Sequence, residues 1–249
     1  VPANLDFCLA DLNTLLARRA PGNLAGTSQR KEPDTPQILS GIYENKTLGS
    51  PIAVLIHNQD QRSKDYEALK TETRVGHADQ TTLDTFGIRD HRGGGRASGR
   101  ETVSRVIAGY FAGLIIPHIK IAGMTRSLGS IDFDIDPMTI KLEANDYGVQ
   151  ASRRQEVQNY LKTVQAEGNS VGGRIYLLAD NVPAGLGEPA FDKLKADLAK
   201  AFMSVGAVTG FSYGLGFDFA KSEGLNAKRS WFGGMEGGIS NGERIITEV

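Results

Sequence analysis

The sequence is short of several things, and each shortage excludes something. It has one cysteine, Cys8, so no disulfide can close within the chain, which fits a reducing compartment. Its 28 Lys and Arg are offset by 29 Asp and Glu, for a net charge of -1; general nucleic-acid binders carry a basic excess. No run of 18 apolar residues is present, so no membrane span is expected, and no targeting peptide is read at Val1. The four histidines lack His-Glu-x-x-His spacing and a single cysteine offers no zinc pattern, so no metal site is expected. There is no Walker loop, no Gly-x-Ser-x-Gly elbow, and no dinucleotide fingerprint, because Ser98 stands where a third glycine is needed.

What is present suffices for a globular chain. Hydrophobic residues make up 40% of the sequence, enough for a buried core, and 249 residues allow one large domain or two small ones. Leu5, Leu9, Leu12 and Leu16 predict a helix over residues 5–19. A loop with a basic end at Arg30 and Lys31 follows, then two strands joined by a glycine turn within residues 36–59, then a polar loop on the surface or facing the site. Val103, Val106, Ile107, Tyr110, Phe111, Leu114 and Ile115 share one helical face, opened by a Ser98–Glu101 capping box and ended by Pro117. Short strands are expected at 118–124, 130–136 and 138–144, and a helix carrying Val157, Tyr160, Leu161 and Val164 that closes at Gly168. A strand at 173–180, a helix over 189–205 with Phe191, Leu194, Leu198 and Phe202 inward, a glycine-interrupted strand at 206–219 and a last strand at 242–249 complete the reading. Strands and helices do not alternate regularly, which disfavours a Rossmann sheet and favours an α+β sandwich. "VPANL" at residues 1–5 is echoed by "VPAGL" at 182–186, each ahead of a helix with Ala-Asp-Leu. As a repeat, this echo implies two similar halves in a pseudo-two-fold relation.

The segment "RDHRGGGRASGRET" concentrates the chemistry. Arg89, Arg92, Arg96, Arg100 and Arg105 crowd a chain without excess positive charge. Gly93, Gly94 and Gly95 let a ligand approach the backbone, a helix N-terminus offers unpaired N–H groups, and guanidinium groups bind phosphate and carboxylate bidentately. The plainer reading pairs these arginines with neighbours such as Asp90 and Glu101. His77, in "RVGHAD", can move protons near neutral pH, and a nearby anion would raise its pKa; the plainer reading is a surface histidine. His57 and His118 read as structural, and His91 as a neighbour of the arginines. "GGMEGGISNG", residues 233–242, is either a mobile hairpin or a place where backbone meets a flat ligand.

In their order along the chain, "QRKEPD", "LSGIYENKTLGSPIAVLI", "QRSKDY", "RVGHAD", "GIRDHRGGGRASGRET", "VPAGLGEPAFDKLKADLAKAFMSV" and "GGISNG" resemble the chorismate synthase family. The resemblance spans nearly the whole chain, as one domain over residues 1–249. It implies a β-α-β sandwich, a homotetramer, and a cytoplasmic lyase converting 5-enolpyruvylshikimate 3-phosphate to chorismate and phosphate. This anti-1,4 elimination needs reduced FMN, with NADPH the candidate source of reducing equivalents. Residue by residue, His77 matches the family's proton donor near the flavin, and Arg74 and Arg100 match ligands of the substrate's anionic groups. Arg96, Ala97 and Ser98 match a flavin-contacting triplet, Gly237 matches a glycine of a second flavin-facing run, and Arg19 matches an arginine assigned to nicotinamide or substrate. Ala97 departs from the family's serine, and Ala25 stands where many relatives have a basic residue. The family's F-G-E-S-H-G, G-S-E-x-N-D, K-P-T-S-S and G-R-H-D-P-C segments are not in the sequence. The resemblance therefore leaves an alternative, a non-catalytic scaffold that binds anions or flavin; an RNA-binding module is disfavoured by neutral charge and the lack of aromatics beside the arginines.

Overall fold

The computed structural model describes residues 1–20, 24–27, 32–59, 63–141 and 146–249. Arg30 and Lys31, the start of "QRSKDY" and the end of the third expected strand lie outside the described residues. The chain packs as two compact units, Val1–Ile116 and Pro117–Val249.

In the first unit, the leucine spacing of helix α1 (Leu9–Arg19) sets Leu12 and Leu16 into a core with Phe7, Tyr110 and Phe111. The helix begins four residues later than its periodicity predicts. The reason is tertiary: Leu5 N–H donates to Thr47 Oγ1 (2.9 Å) and its carbonyl accepts from Thr47 N–H (3.0 Å), which commits that backbone elsewhere. The region expected to hold two strands holds four. Strand β1 (Gln37–Ser40) is separated from its antiparallel partner by a hairpin of β2 (Ile42–Tyr43) and β3 (Lys46–Thr47); that partner is β4 (Ala53–Leu55). The hairpin turns on Glu44 and Asn45 at positive φ (46° and 58°), a two-residue geometry that matches strand twist. Helix α2 (Asp79–Phe86) emerges from the segment read as a loop. Helix α3 (Thr102–Ile115) buries Tyr110 and Phe111 as expected and stops before Pro117.

The second unit is built on an antiparallel sheet. Its strands are β5 (Lys120–Leu128), β6 (Ile131–Asp132), β7 (Gly173–Asp180), β8 (Ser212–Tyr213) and a final strand, Ile245–Glu248; α4 (Arg154–Ala166) lies between β6 and β7 in sequence, and α5 (Leu194–Met203) between β7 and β8. After β8 come β9 (Met235–Glu236) and β10 (Ile239–Ser240), so the final strand is β11. The order β6-β5-β7-β11-β8, with every pairing antiparallel, excludes a Rossmann sheet and shows an α+β fold. Val157 of α4 packs with Met124, Leu178 and Ile246 of the sheet, and Gly168 follows the helix at φ +65°.

Three expectations for this unit are corrected. Residues 138–141 are not a strand: Asp136 accepts hydrogen bonds from Met138 N–H (2.9 Å) and the Thr139 hydroxyl (2.8 Å), which curls the backbone into a turn. Helix α5 starts at Leu194, and Phe191 is 89% exposed rather than inward. Of the glycine-interrupted stretch at 206–219, Ser212–Tyr213 alone is strand.

The echo of "VPANL" in "VPAGL" is a structural repeat, visible inside each unit. In the first, Thr47 Oγ1 donates to Pro2 O (2.7 Å) and accepts from Leu5 N–H, while Asn4 N–H donates to Thr47 O (2.7 Å). In the second, Ser240 Oγ donates to Pro183 O (2.6 Å) and accepts from Leu186 N–H (2.8 Å), while Gly185 N–H donates to Ser240 O (2.8 Å). Leu48 N–H closes onto Gly41 O (3.0 Å), and Asn241 N–H onto Gly234 O (2.9 Å). Gly41 and Gly234 share a left-handed φ, +82° and +77°, as do Gly49 and Gly242, +78° and +89°. Thus "SGIYENKTLG" and "GGMEGGISNG" form the same hairpin. Among the described residues, no helix is long and apolar enough to cross a membrane.

Candidate functional site

The glycine run does not lead straight into α3. Gly95–Ala97 and Gly99–Glu101 form two 3-10 turns, with Ser98 extended between them (φ -74°, ψ 141°). Ser98 Oγ accepts from Arg100 N–H (3.2 Å) rather than from Glu101, and the Glu101 carboxylate is taken by Arg105 Nε (2.9 Å). The capping box is therefore half made, and the α-helix N-terminus lies one segment beyond the glycines.

Each glycine has a separate reason. A Cβ on Gly94 would come within 3.0 Å of the Ser98 Cβ, so its absence lets the turn fold against itself. At Gly93 and Gly95 a Cβ would meet nothing within 4 Å; both line a cleft of about 480 Å³. Arg74, His77, Ala78, Asp79, Thr82 and Phe86 line one part of it, and Arg89, Asp90, Gly93–Gly95, Arg96 and Ala97 the rest.

Asp79 organises the cleft. Placed at the start of α2 and buried, it accepts from Arg74 three times, through the backbone N–H (3.1 Å), Nε (2.9 Å) and Nη2 (3.1 Å). Arg89 Nη1 adds an ion pair at 3.0 Å, and Arg89 Nη2 donates to the Leu69 carbonyl. Hydrogen bonding from Arg74 holds the Asp79 carboxyl well below the usual carboxylate range, and the same bond raises the Arg74 pKa. Two guanidinium groups are thereby fixed at a cleft wall before any ligand arrives, the preorganisation that anion binding needs. His77 is exposed on a turn closed by its own N–H to Arg74 O (3.3 Å).

The eight candidate residues separate into groups. Arg74, His77, Arg96 and Ala97 line the cleft. Ser98 caps the turn behind it. Arg19 and Arg100 are not on the cleft wall; both are ion-paired to Asp34, with Arg100 also 3.7 Å from Glu32. Gly237 belongs to the second unit, at the tip of the β9–β10 hairpin with φ +61°, where a Cβ would meet nothing within 4 Å. Of the other arginines, Arg92 pairs with Asp90 and Arg105 with Glu101, as the plainer reading held. Sequence reading missed Asp79, Asp34 and Glu32 as partners; they stood inside "RVGHAD" and "QRKEPD", but nothing in those motifs ties an acid to a particular arginine.

A glycine-floored cleft walled by arginines held in place, with a histidine in its lining, has the donors to suit a small anionic molecule. Comparison with known proteins is specific. The chorismate synthase family model matches residues 1–249. A chorismate synthase of Bdellovibrio bacteriovorus is 43% identical over 262 aligned residues, covering 100% of this chain and 77% of the relative. One from Methanosarcina mazei is 42% identical, covering 100% and 73%. A crystal structure of chorismate synthase matches with a TM-score of 0.78 at 28% identity, over 100% of this chain and 77% of that one. The chain belongs to the chorismate synthase family.

Proposed function

We propose that the cleft of the first unit serves the family's reaction, loss of phosphate from 5-enolpyruvylshikimate 3-phosphate to give chorismate. Phosphate leaves with the carbon–oxygen bonding pair, a base takes the ring proton, the carbon–hydrogen pair becomes part of the new conjugated diene, and no net oxidation occurs. The observation that carries this reading is Asp79 holding Arg74 and Arg89 beside open glycine backbone. Arg74 then binds one anionic group of the substrate at the cleft, and Arg100, paired with Asp34 off the cleft wall, is the proposed ligand of another.

The residues also fit FMN. A cleft of about 480 Å³ is in the size range of cofactor sites; the bare backbone of Gly93 and Gly95 admits a flat ring, and Phe86 and Ala97 offer apolar surface. Arg96, which lines the cleft without an ion-pair partner among the described residues, suits the cofactor's phosphate. Ser98 is a further proposed contact there; Gly237, at an open hairpin tip within the second unit, is proposed as a flavin-facing glycine from the family resemblance alone. When bound, reduced FMN supplies electron density that eases phosphate departure. His77, exposed and lining the cleft, would hold on a ring nitrogen the proton that a bound reduced flavin could take up. NADPH is the proposed reductant, and Arg19 is the proposed contact of the nicotinamide or of the substrate; homotetrameric assembly and a cytoplasmic location are proposed from the family. The family match crosses both units without a break, which supports reading residues 1–249 as one domain.

The test is anaerobic turnover of the substrate with chemically reduced FMN, following chorismate absorbance and released phosphate together. Chorismate and phosphate in equal amounts are expected. FMN binding without turnover would instead favour the scaffold reading.

A further inference from the structure

Glu32 and Asp34 belong to the "QRKEPD" motif, and nothing in the function above uses them. Their side chains are 3% and 0% exposed, beneath Arg100 at 25% and Arg19 at 17%. We propose that Asp34, aided by Glu32, is a positioning residue that fixes Arg19 and Arg100 as a pair presenting N–H donors to an anionic group of the substrate.

The bonding supports this. Asp34 Oδ2 accepts from Arg19 Nε (3.1 Å) and Nη2 (2.9 Å), while Oδ1 accepts from Arg100 Nη1. Arg19 Nη1 donates to Thr102 Oγ1 (3.2 Å), and Arg100 Nη2 to the His57 carbonyl (3.4 Å). One carboxylate thus ties the end of α1 to the turn ahead of α3, and each guanidinium keeps donors that these bonds do not use. Asp34 takes φ +47°, a left-handed conformation uncommon outside glycine but tolerated by Asp and Asn.

The asymmetry of exposure separates this arrangement from an ordinary ion pair. In Arg92–Asp90 the two side chains are 64% and 63% exposed, a solvated pair of small net worth. Around Asp34 the acids are enclosed and the bases are not. Burying acids is costly and is no efficient route to stability alone; it does hold the two bases in one orientation.

The inference rests on the reading of Arg100 as a substrate ligand, so binding and turnover are measured separately. Asp34→Asn keeps size and tolerance of the left-handed φ while removing the charge. Calorimetric titration with 5-enolpyruvylshikimate 3-phosphate should show Kd raised about tenfold or more in the folded variant, with KM following and kcat within about threefold. Glu32→Gln should raise Kd less, about two- to threefold, and Asp218→Asn, which breaks an exposed pair, should leave it unchanged. Substrate affinity in folded Asp34→Asn equal to that of the unaltered protein overturns the inference; should that variant fail to fold, unchanged affinity in Glu32→Gln overturns it. An unaltered protein that binds substrate without turnover, with binding weakened by Asp34→Asn, supports the positioning role and overturns the catalytic reading.

Discussion

Asp79 shows how much one carboxylate can set. It neutralises part of the charge of Arg74 and Arg89, orients both, and is itself kept ionised by them. Replacing it with Asn leaves two arginines short of a buried partner, and we expect a loss of about 3 kcal/mol in denaturant unfolding. The pH dependence has a definite sign. A carboxyl whose folded pKa lies below its unfolded value, about 3.9, stabilises the fold above that value and loses the contribution as pH falls through the folded pKa. The unfolding free energy of Asp79→Asn should therefore change less between pH 5 and pH 2 than that of the unaltered protein. His77 has a different character: it is exposed on a turn. His77→Ala should leave the unfolding midpoint unchanged and lower kcat about a hundredfold, within the range for general acid–base catalysis; near-normal turnover would remove its assigned role.

At the scale of elements, periodicity located α3 and α4, because each sets spaced side chains into its own unit's core; β7 and β11 fall where strands were expected but bury no alternating set, only Leu178 in one and the adjacent Ile245, Ile246 and Thr247 in the other. It misplaced the start of α1, where Leu5 is claimed by Thr47 forty-two residues away, and no local pattern reports such a bond. It missed α2, whose sequence, "DQTTLDTF", carries little apolar periodicity. The glycine turn is a candidate ligand surface in the sequence, but the two 3-10 turns after it are not visible there, since the first is closed by backbone bonds and the second by Ser98 Oγ capping Arg100 N–H. Those turns permit a sharp test. Gly93→Ala introduces a methyl into open space, so thermal stability should not move, yet FMN affinity should fall about tenfold if backbone meets ring there. Gly94→Ala should instead destabilise, because its Cβ would reach the Ser98 Cβ at 3.0 Å. Loss of stability in Gly93→Ala, with affinity intact, would reject the contact.

For the molecule as a whole, the motifs revealed family and chemistry, while the partners of the arginines stayed hidden. Asp34 and Asp79 are ordinary letters in the sequence; their meaning comes from burial, which depends on elements brought together from residues 19, 34 and 100 in one case and 74, 79 and 89 in the other. The repeat was half legible. Its "VPA" words could be read, but the two hairpins share little sequence and are matched by hydrogen bonds. Thr47 and Ser240 are both buried, each bonding to a proline carbonyl and a leucine N–H. Thr47→Ala and Ser240→Ala should each cost about 1–3 kcal/mol in chemical unfolding; a clear loss at one site and none at the other would show that the matching bonds differ in weight.

The hydroxyl clasp has a consequence for the tips of those hairpins. Glu44-Asn45 and Gly237-Gly238 occupy the same corner at similar positive φ, yet one pair carries polar side chains and the other none. Because the clasp fixes the shape from below, form and surface become separate variables. The molecule holds two copies of one fitting, with one left furnished and the other stripped bare, and exchanging the tips between them would alter what each surface can touch without rebuilding either frame.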